Sequence, residues 1–233
     1  MGFYDYRCSI SGLSLMPSGA YLVLMEKLED GYRPIALPVP GSYDRLGSID
    51  MVEEDDHTRR LVAFAREATE SGRMTVDWDE IDSESIDEVE ELFRASERSS
   101  SQGYDALTLD GVRIVHTLIL DHVWEAFADP GSHAERSAGE LLDEIFGPDS
   151  TAHALYGDGD DVQASLAAMR GFKDFMDRIA VPWNVRDDFE QHYSDELREY
   201  IDEARERFAD LPAMLAVIDA HEEDCQEIFD EDE

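Results

Sequence analysis

The chain has 233 residues, with 56 Asp and Glu against 19 Lys and Arg, a formal net charge of −37. Charge of that size governs solubility, self-repulsion and choice of partner rather than fold. It disfavours direct contact with nucleic acid phosphates or anionic lipid, because no basic stripe offsets it locally. Yet 42% of the residues are hydrophobic, with three Trp, nine Tyr and ten Phe, whereas disorder driven by charge requires low apolar content.

The acid is unevenly placed. Residues 1–50 hold six acidic and four basic side chains, so nearly all of the excess falls in residues 51–233. Lys27 and Lys173 are the only lysines, the other basic residues being Arg, a pattern common to GC-rich bacteria and salt-loving archaea. The two cysteines, Cys8 and Cys225, lie near opposite ends and do not make a disulfide scaffold; a reducing cytoplasm is the expected setting. Met1–Arg7 lacks a signal-peptide pattern, and Tyr6 stands where a myristoylation signal wants Ser or Thr. No apolar run approaches the roughly 20 residues of a membrane span.

In chain order, Tyr6–Ile10, Ala20–Met25 and Tyr32–Leu37 read as short strands separated by Ser11-Gly12, Pro17-Ser18-Gly19 and Asp30-Gly31. Asp30-Gly31 is a hairpin signal, and Pro34 and Pro38 point to an edge strand or irregular extended backbone. From Thr58 the period becomes helical: Leu61, Val62, Ala65 and Ala68 mark a helix that ends near Gly72. Ser85–Glu88 matches a capping box ahead of Val89, Leu92 and Phe93, and Ser96–Gly103 reads as a loop. Val112–Phe127 is expected to be one long apolar helix, although Val112–Leu120 alone has the composition of a buried strand. Ser137–Glu140 is a second capping box, leading into Leu141, Leu142, Ile145 and Phe146 and stopped by Gly147-Pro148.

Three helices are expected in the last third. One carries Val162, Leu166, Met169, Phe172, Met176 and Ile179 and ends at Pro182. The next runs from Phe189 to Phe208, with acidic residues on its outer face. The last has Pro212 in its first turn and Met214, Ile218, Cys225 and Phe229 inside. The fold expected is α+β, a small β-rich N-terminal unit (1–50) followed by a mainly α-helical acidic body (51–233), packed as one globular unit.

Well-marked catalytic motifs are missing: there is no phosphate loop, nucleophile elbow, His-Glu-x-x-His or Cys-x-x-Cys. The richest local cluster is His116, Asp121, His122 and Glu125, where helical spacing would bring His122 and Asp121 beside Glu125 as metal ligands or acid–base groups. A hydrogen-bonded core histidine is the alternative. His221 and Cys225, spaced i, i+4, form half of a zinc site or a buried structural pair. His192 lies between Asp188 and Glu196, one turn from each on a helix, a solvated face or a proton-sensitive patch. Asp158–Asp161 has the composition of a calcium loop but not its order, and Asp160 or Asp161 serves as a helix N-cap there.

The stretches Tyr6–Leu15, Ile35–Pro38 and Gly41–Asp50 carry a Cys-x-Ile-Ser-Gly pattern (Cys8–Gly12) and a Tyr-Asp-x-x-Gly-Ser-Ile-Asp pattern (Tyr43–Asp50). In this, the first fifty residues resemble a loosely defined group of uncharacterised bacterial proteins, a resemblance that implies no activity and no catalytic residue. Gly41, Gly47 and Tyr43 suit a tight loop against the sheet. Such a loop on a rigid scaffold is where binding residues collect, so Tyr43, Asp44, Arg45, Ser48 and Asp50 are candidate binding residues; a purely structural turn is the alternative.

The function these features favour is a non-enzymatic cytoplasmic interaction protein, without a cofactor, whose acidic surface engages a basic protein in the manner of an inhibitor, immunity protein or DNA mimic. A metal-dependent hydrolase built on the His and carboxylate cluster is one alternative. Acidity as salt adaptation alone is the other. At −37 self-association is opposed at low salt, while the amphipathic C-terminal helices could hide a dimer seam.

Overall fold

In a computed structural model the described residues are 4–5, 7–15, 18–41, 54–85, 88–89, 92, 107–157, 159–179, 192–193, 196–226 and 229. The architecture is α+β, an antiparallel sheet followed by a mostly helical body.

The sheet is built around two long strands, β2 (Ala20–Leu28) and β6 (Val112–Leu120), paired antiparallel from Ala20↔Leu120 to Lys27↔Arg113. A two-residue turn, Glu29-Asp30, returns β2 into β3 (Gly31–Pro34), as the Asp-Gly signal anticipated. β3 and β4 (Val39–Gly41) together line the outer side of β2, so Pro34 and Pro40 sit on the edge, where a missing N–H costs no ladder bond. β5 (Leu107–Leu109) pairs with the start of β6 through Asp110-Gly111, both at positive φ (51° and 80°). That is the backbone of a type I′ hairpin turn. Further along β6, the Leu118 carbonyl accepts from the Ser9 amide at 2.8 Å, so the N-terminal segment takes over beyond the reach of β5. Two strands of two residues each, β1 (Tyr4–Asp5) near the N-terminus and β7 (His192–Tyr193) in the last third of the chain, form a separate antiparallel pair.

Three expectations are corrected. Val112–Phe127 is not one helix: Val112–Leu120 is the central strand β6, and only Asp121–Phe127 is helical (α2). The reason is burial on both faces, which erases the alternation of a surface strand and leaves an apolar run without period. Residues 7–15 form a tight turn rather than a strand at 6–10, with Cys8 N–H donating to Leu13 O and Gly12 N–H to Cys8 O. Of the helix expected from Phe189 to Phe208, the described residues show Leu197–Arg207 as helix (α6) and His192–Tyr193 as strand (β7).

Both faces of the sheet are covered. Leu24 and Ile114 meet Leu61, Phe64, Ala65 and Ala68 of α1 (Glu54–Glu70). Val23, Met25, Val115 and Ile119 join the larger core under the remaining helices. These are α3 (Ala138–Phe146), the short α4 (Ala152–Leu155), α5 (Asp160–Ile179), α6 and α7 (Pro212–Asp224). The Ser137 capping box is complete in both directions, and Gly147, at φ 94°, ends α3. Helix α5 begins at Asp160, so Asp160 and Asp161 occupy its first turn and favour the dipole there instead of capping it. Trp124 lies 5.0 Å from both Tyr21 and Phe172, and Phe127 stacks on Phe175 at 3.7 Å. The short α2 is thereby wedged between β2 and α5.

On the α1 face, Glu26 is buried, 3% exposed. It is paired with Arg33 on β3 and with Arg73 just after α1. Arg73 also reaches Glu67 at 3.4 Å, and Glu67 accepts from the Thr151 hydroxyl at 3.1 Å. A carboxylate can remain charged inside only when paired in this way.

Candidate functional site

Three chain segments converge at one end of β6: the turn before β2, the start of α2 and the end of α7. The strand stops at Leu120 and Asp121 opens the helix. Asp121 Oδ2 accepts from the Gly19 amide at 3.0 Å, its Oδ1 from the His122 amide at 2.7 Å, and its own amide donates to Gly19 O at 3.1 Å. Its carboxylate is thus committed to tying the helix start to the turn. His122 Nε2 donates to Asp224 Oδ2 at 2.6 Å, and the Ser18 hydroxyl donates to the same oxygen at 3.2 Å. These two bonds hold the Asp224 carboxyl below its ordinary range, the His122 bond contributing most.

Behind this polar tie lies His221, 0% exposed. Its Nε2 is 3.6 Å from the sulfur of Cys225, also buried, and its Nδ1 has no hydrogen-bond partner. The His122 ring meets it edge to face at 6.5 Å. Burial first, and then His122, push the His221 imidazole down to about 4, against a weaker upward pull from Asp224 and Asp121. Tyr21, on the adjacent strand, has its phenol raised by burial and by Glu125 and Asp121.

This arrangement differs from the metal cluster expected from helical spacing. The register of β6 places His116 opposite Leu24, on a strand and not on the helix of His122. Asp121 accepts from the Gly19 and His122 amides, His122 pairs with Asp224, and Glu125 is exposed. Among the described residues no three His, Cys, Asp or Glu side chains gather to hold a metal ion. Ser18, the hydroxyl of the tie, donates to the carboxylate rather than to the imidazole, so it is not placed as a nucleophile activated by His122. The candidate binding residues Tyr43, Asp44, Arg45, Ser48 and Asp50 lie outside the described residues, as does Asp188 beside His192.

The sequence pattern of the family described as "Domain of unknown function (DUF8385)" matches residues 1–224. The chain belongs to that family. No curated protein and no solved structure matches it. The match to DUF8385 runs from the N-terminus to Asp224, so it takes in sheet, helical body and the carboxylate that closes the tie.

Outside the tie, this DUF8385 chain is marked by how its few cations are used. Arg33 and Arg73 hold Glu26; Arg60 donates to Leu37 O at 2.9 Å and pairs with Asp56 at 2.7 Å. Arg136 and Arg170 converge on Glu144, at 2.6 and 2.7 Å, and hold its carboxyl down at about 2. Arg205 bridges Asp219 and Glu222. Others lie on aromatic faces: Arg7 on Tyr200 at 3.8 Å, Arg198 on Phe229 at 4.2 Å and Arg66 on Trp78 at 4.4 Å. Meanwhile Glu199, Asp202, Glu206 and Asp210 stand exposed on and just after α6. The sequence showed the excess of acid but not the Glu26 clamp or the Asp224 tie, because both join residues far apart in the chain.

Proposed function

We propose that the protein is a non-enzymatic interaction protein of the cytoplasm whose acidic surface binds a basic protein, as an inhibitor, an immunity protein or a mimic of nucleic acid. The observation that carries the reading is the internal commitment of the cations: arginines are held in ion pairs or on aromatic faces, while carboxylates crowd the outer faces of the helices. A field of one sign from a folded, rigid surface speeds encounter with an oppositely charged partner and discourages others.

The test is calorimetric titration with a panel of basic proteins, including a basic nuclease and lysozyme, at about 0.05 M salt. Saturable binding to one member with defined stoichiometry supports the reading. Absence of binding across the panel at low salt counts against it, as does the same loose, non-stoichiometric association with every cation offered.

A further inference from the structure

We propose that His221 is an acid-sensing trigger, and that a proton entering its buried pocket releases α7 from α2 and from the Ser18–Gly19 turn. The inference is independent of the partner reading, since it concerns one end of the fold and a proton alone.

The geometry is that of a latch with a vulnerable interior. Its outer bolt is the His122–Asp224 pair with Ser18 on the same oxygen, joining α2, α7 and the turn before β2. Its inner surface is an imidazole with no exposure, whose Nε2 faces a thiol and whose Nδ1 is unpartnered. The charged groups acting on that ring are His122 and Asp121 from α2 and Asp224 from α7 itself. Asp121 is engaged by two backbone amides, and Asp224 by His122 and Ser18. From α6, the other helix packed on α7, Arg205 is held by Asp219 and Glu222.

A proton added to His221 in the closed state therefore creates a buried cation without a dedicated counterion, next to His122. Such a charge is costly to bury. In the open state the imidazole meets water and takes the proton at its ordinary value near 6.5. The closed pocket resists protonation down to about 4. Between those limits the open state binds more protons, so acid favours opening, by at most about tenfold per pH unit for one site. The sign is definite: a depressed imidazole withdraws stability as pH falls from 6.5 towards 4. Asp224, held low by His122, stays ionised through this window.

The experiment is backbone amide hydrogen exchange on the full chain between about pH 7 and about pH 5, corrected for intrinsic rates, with β2 and β6 amides as internal reference. The expected result is that α7 protection falls by roughly tenfold per pH unit below about 6.5 while the sheet falls less. In His221→Phe, which keeps an aromatic ring but cannot titrate, the α7 profile flattens. Should that variant not fold, an NMR titration of His221 in the unmodified protein decides: an imidazole still neutral at pH 5 in the closed state upholds the trigger. Unchanged α7 protection, loss that is equal in sheet and α7, or a His221 that titrates near 6.5 without opening overturns it.

Discussion

Gly171 gives a sharp test of how the helical body is packed. It lies in the middle of α5, and a Cβ built on it would stand 2.7 Å from the Asp129 carbonyl carbon, closer still to that carbonyl oxygen and 3.4 Å from the Asp129 nitrogen. These are backbone atoms and cannot rotate away. Carbon–oxygen contacts settle at about 3.3–3.6 Å, so the clash with the carbonyl oxygen means Gly171→Ala must push the segment of chain after α2 away from α5 by well over an ångström. Overpacking of that kind costs about 1–3 kcal/mol, on top of cancelling the gain of about 1 kcal/mol that alanine brings to an open helix position. At about 2–4 °C per kcal/mol for a chain of this size, the melting temperature should fall by several degrees. Gly139 in α3 is the internal control, because its added Cβ meets nothing within 4 Å; Gly139→Ala should leave stability unchanged or raise it slightly. Thermal unfolding followed by circular dichroism reads both. If Gly171→Ala stabilises as much as Gly139→Ala, the close approach of Asp129 to α5 is wrong.

Other perturbations probe other links. Glu26→Gln leaves Arg33 and Arg73 facing a neutral amide at a buried position, and because both guanidinium groups are about a third exposed and can rehydrate, urea unfolding should show a loss of about 1–2 kcal/mol. Ser137→Ala removes the side-chain half of the capping box on α3, the hydroxyl that accepts from the Glu140 amide, and leaves the backbone N–H bond to the Glu140 carboxylate, for a loss of about 1 kcal/mol in the same assay. The Glu144 carboxyl, held at about 2 by Arg136 and Arg170, contributes stability above the unfolded carboxylate value that is lost as pH falls towards 2. An NMR titration should find Glu144 among the last side-chain carboxyls to protonate, and Arg136→Gln should move it upward. Because the pair is exposed, its effect on stability should shrink with added salt. If acidity were only a salt adaptation, the chain would need molar KCl to fold; the present account expects a cooperative unfolding transition at about 0.1 M.

Elements with a clear period or a punctuating residue were legible in the sequence. The stripe of Leu61, Val62, Ala65 and Ala68, the Ser137–Glu140 capping box, Pro212 in the first turn of α7 and the Asp30-Gly31 return all behave as their chemistry dictates. What failed was β6. Its apolar residues do not alternate because both faces are covered, and helical spacing could be traced through them by chance. Two local signals pointed the other way: the density of β-branched residues (Val112, Ile114, Val115, Thr117, Ile119) and the Asp110-Gly111 pair just before it, a type I′ hairpin sequence. That single misreading also placed His116 on a helix, whereas the strand register sets it opposite Leu24. The tie itself was only half visible. His122 and Cys225 could be singled out, but Asp224 meets His122 across 102 residues of chain and Ser18 meets Asp224 across 206, and no local pattern encodes such a contact.

The proposed function requires a folded acidic surface that recognises a cation-rich protein. The most direct measurement is the association constant with the basic protein that binds best, followed from about 0.05 M to about 0.5 M salt at constant pH. A stoichiometric complex whose affinity falls steadily with salt, while the protein itself remains folded throughout, is the predicted result. A complex indifferent to salt, or no complex at the lowest salt, would contradict it.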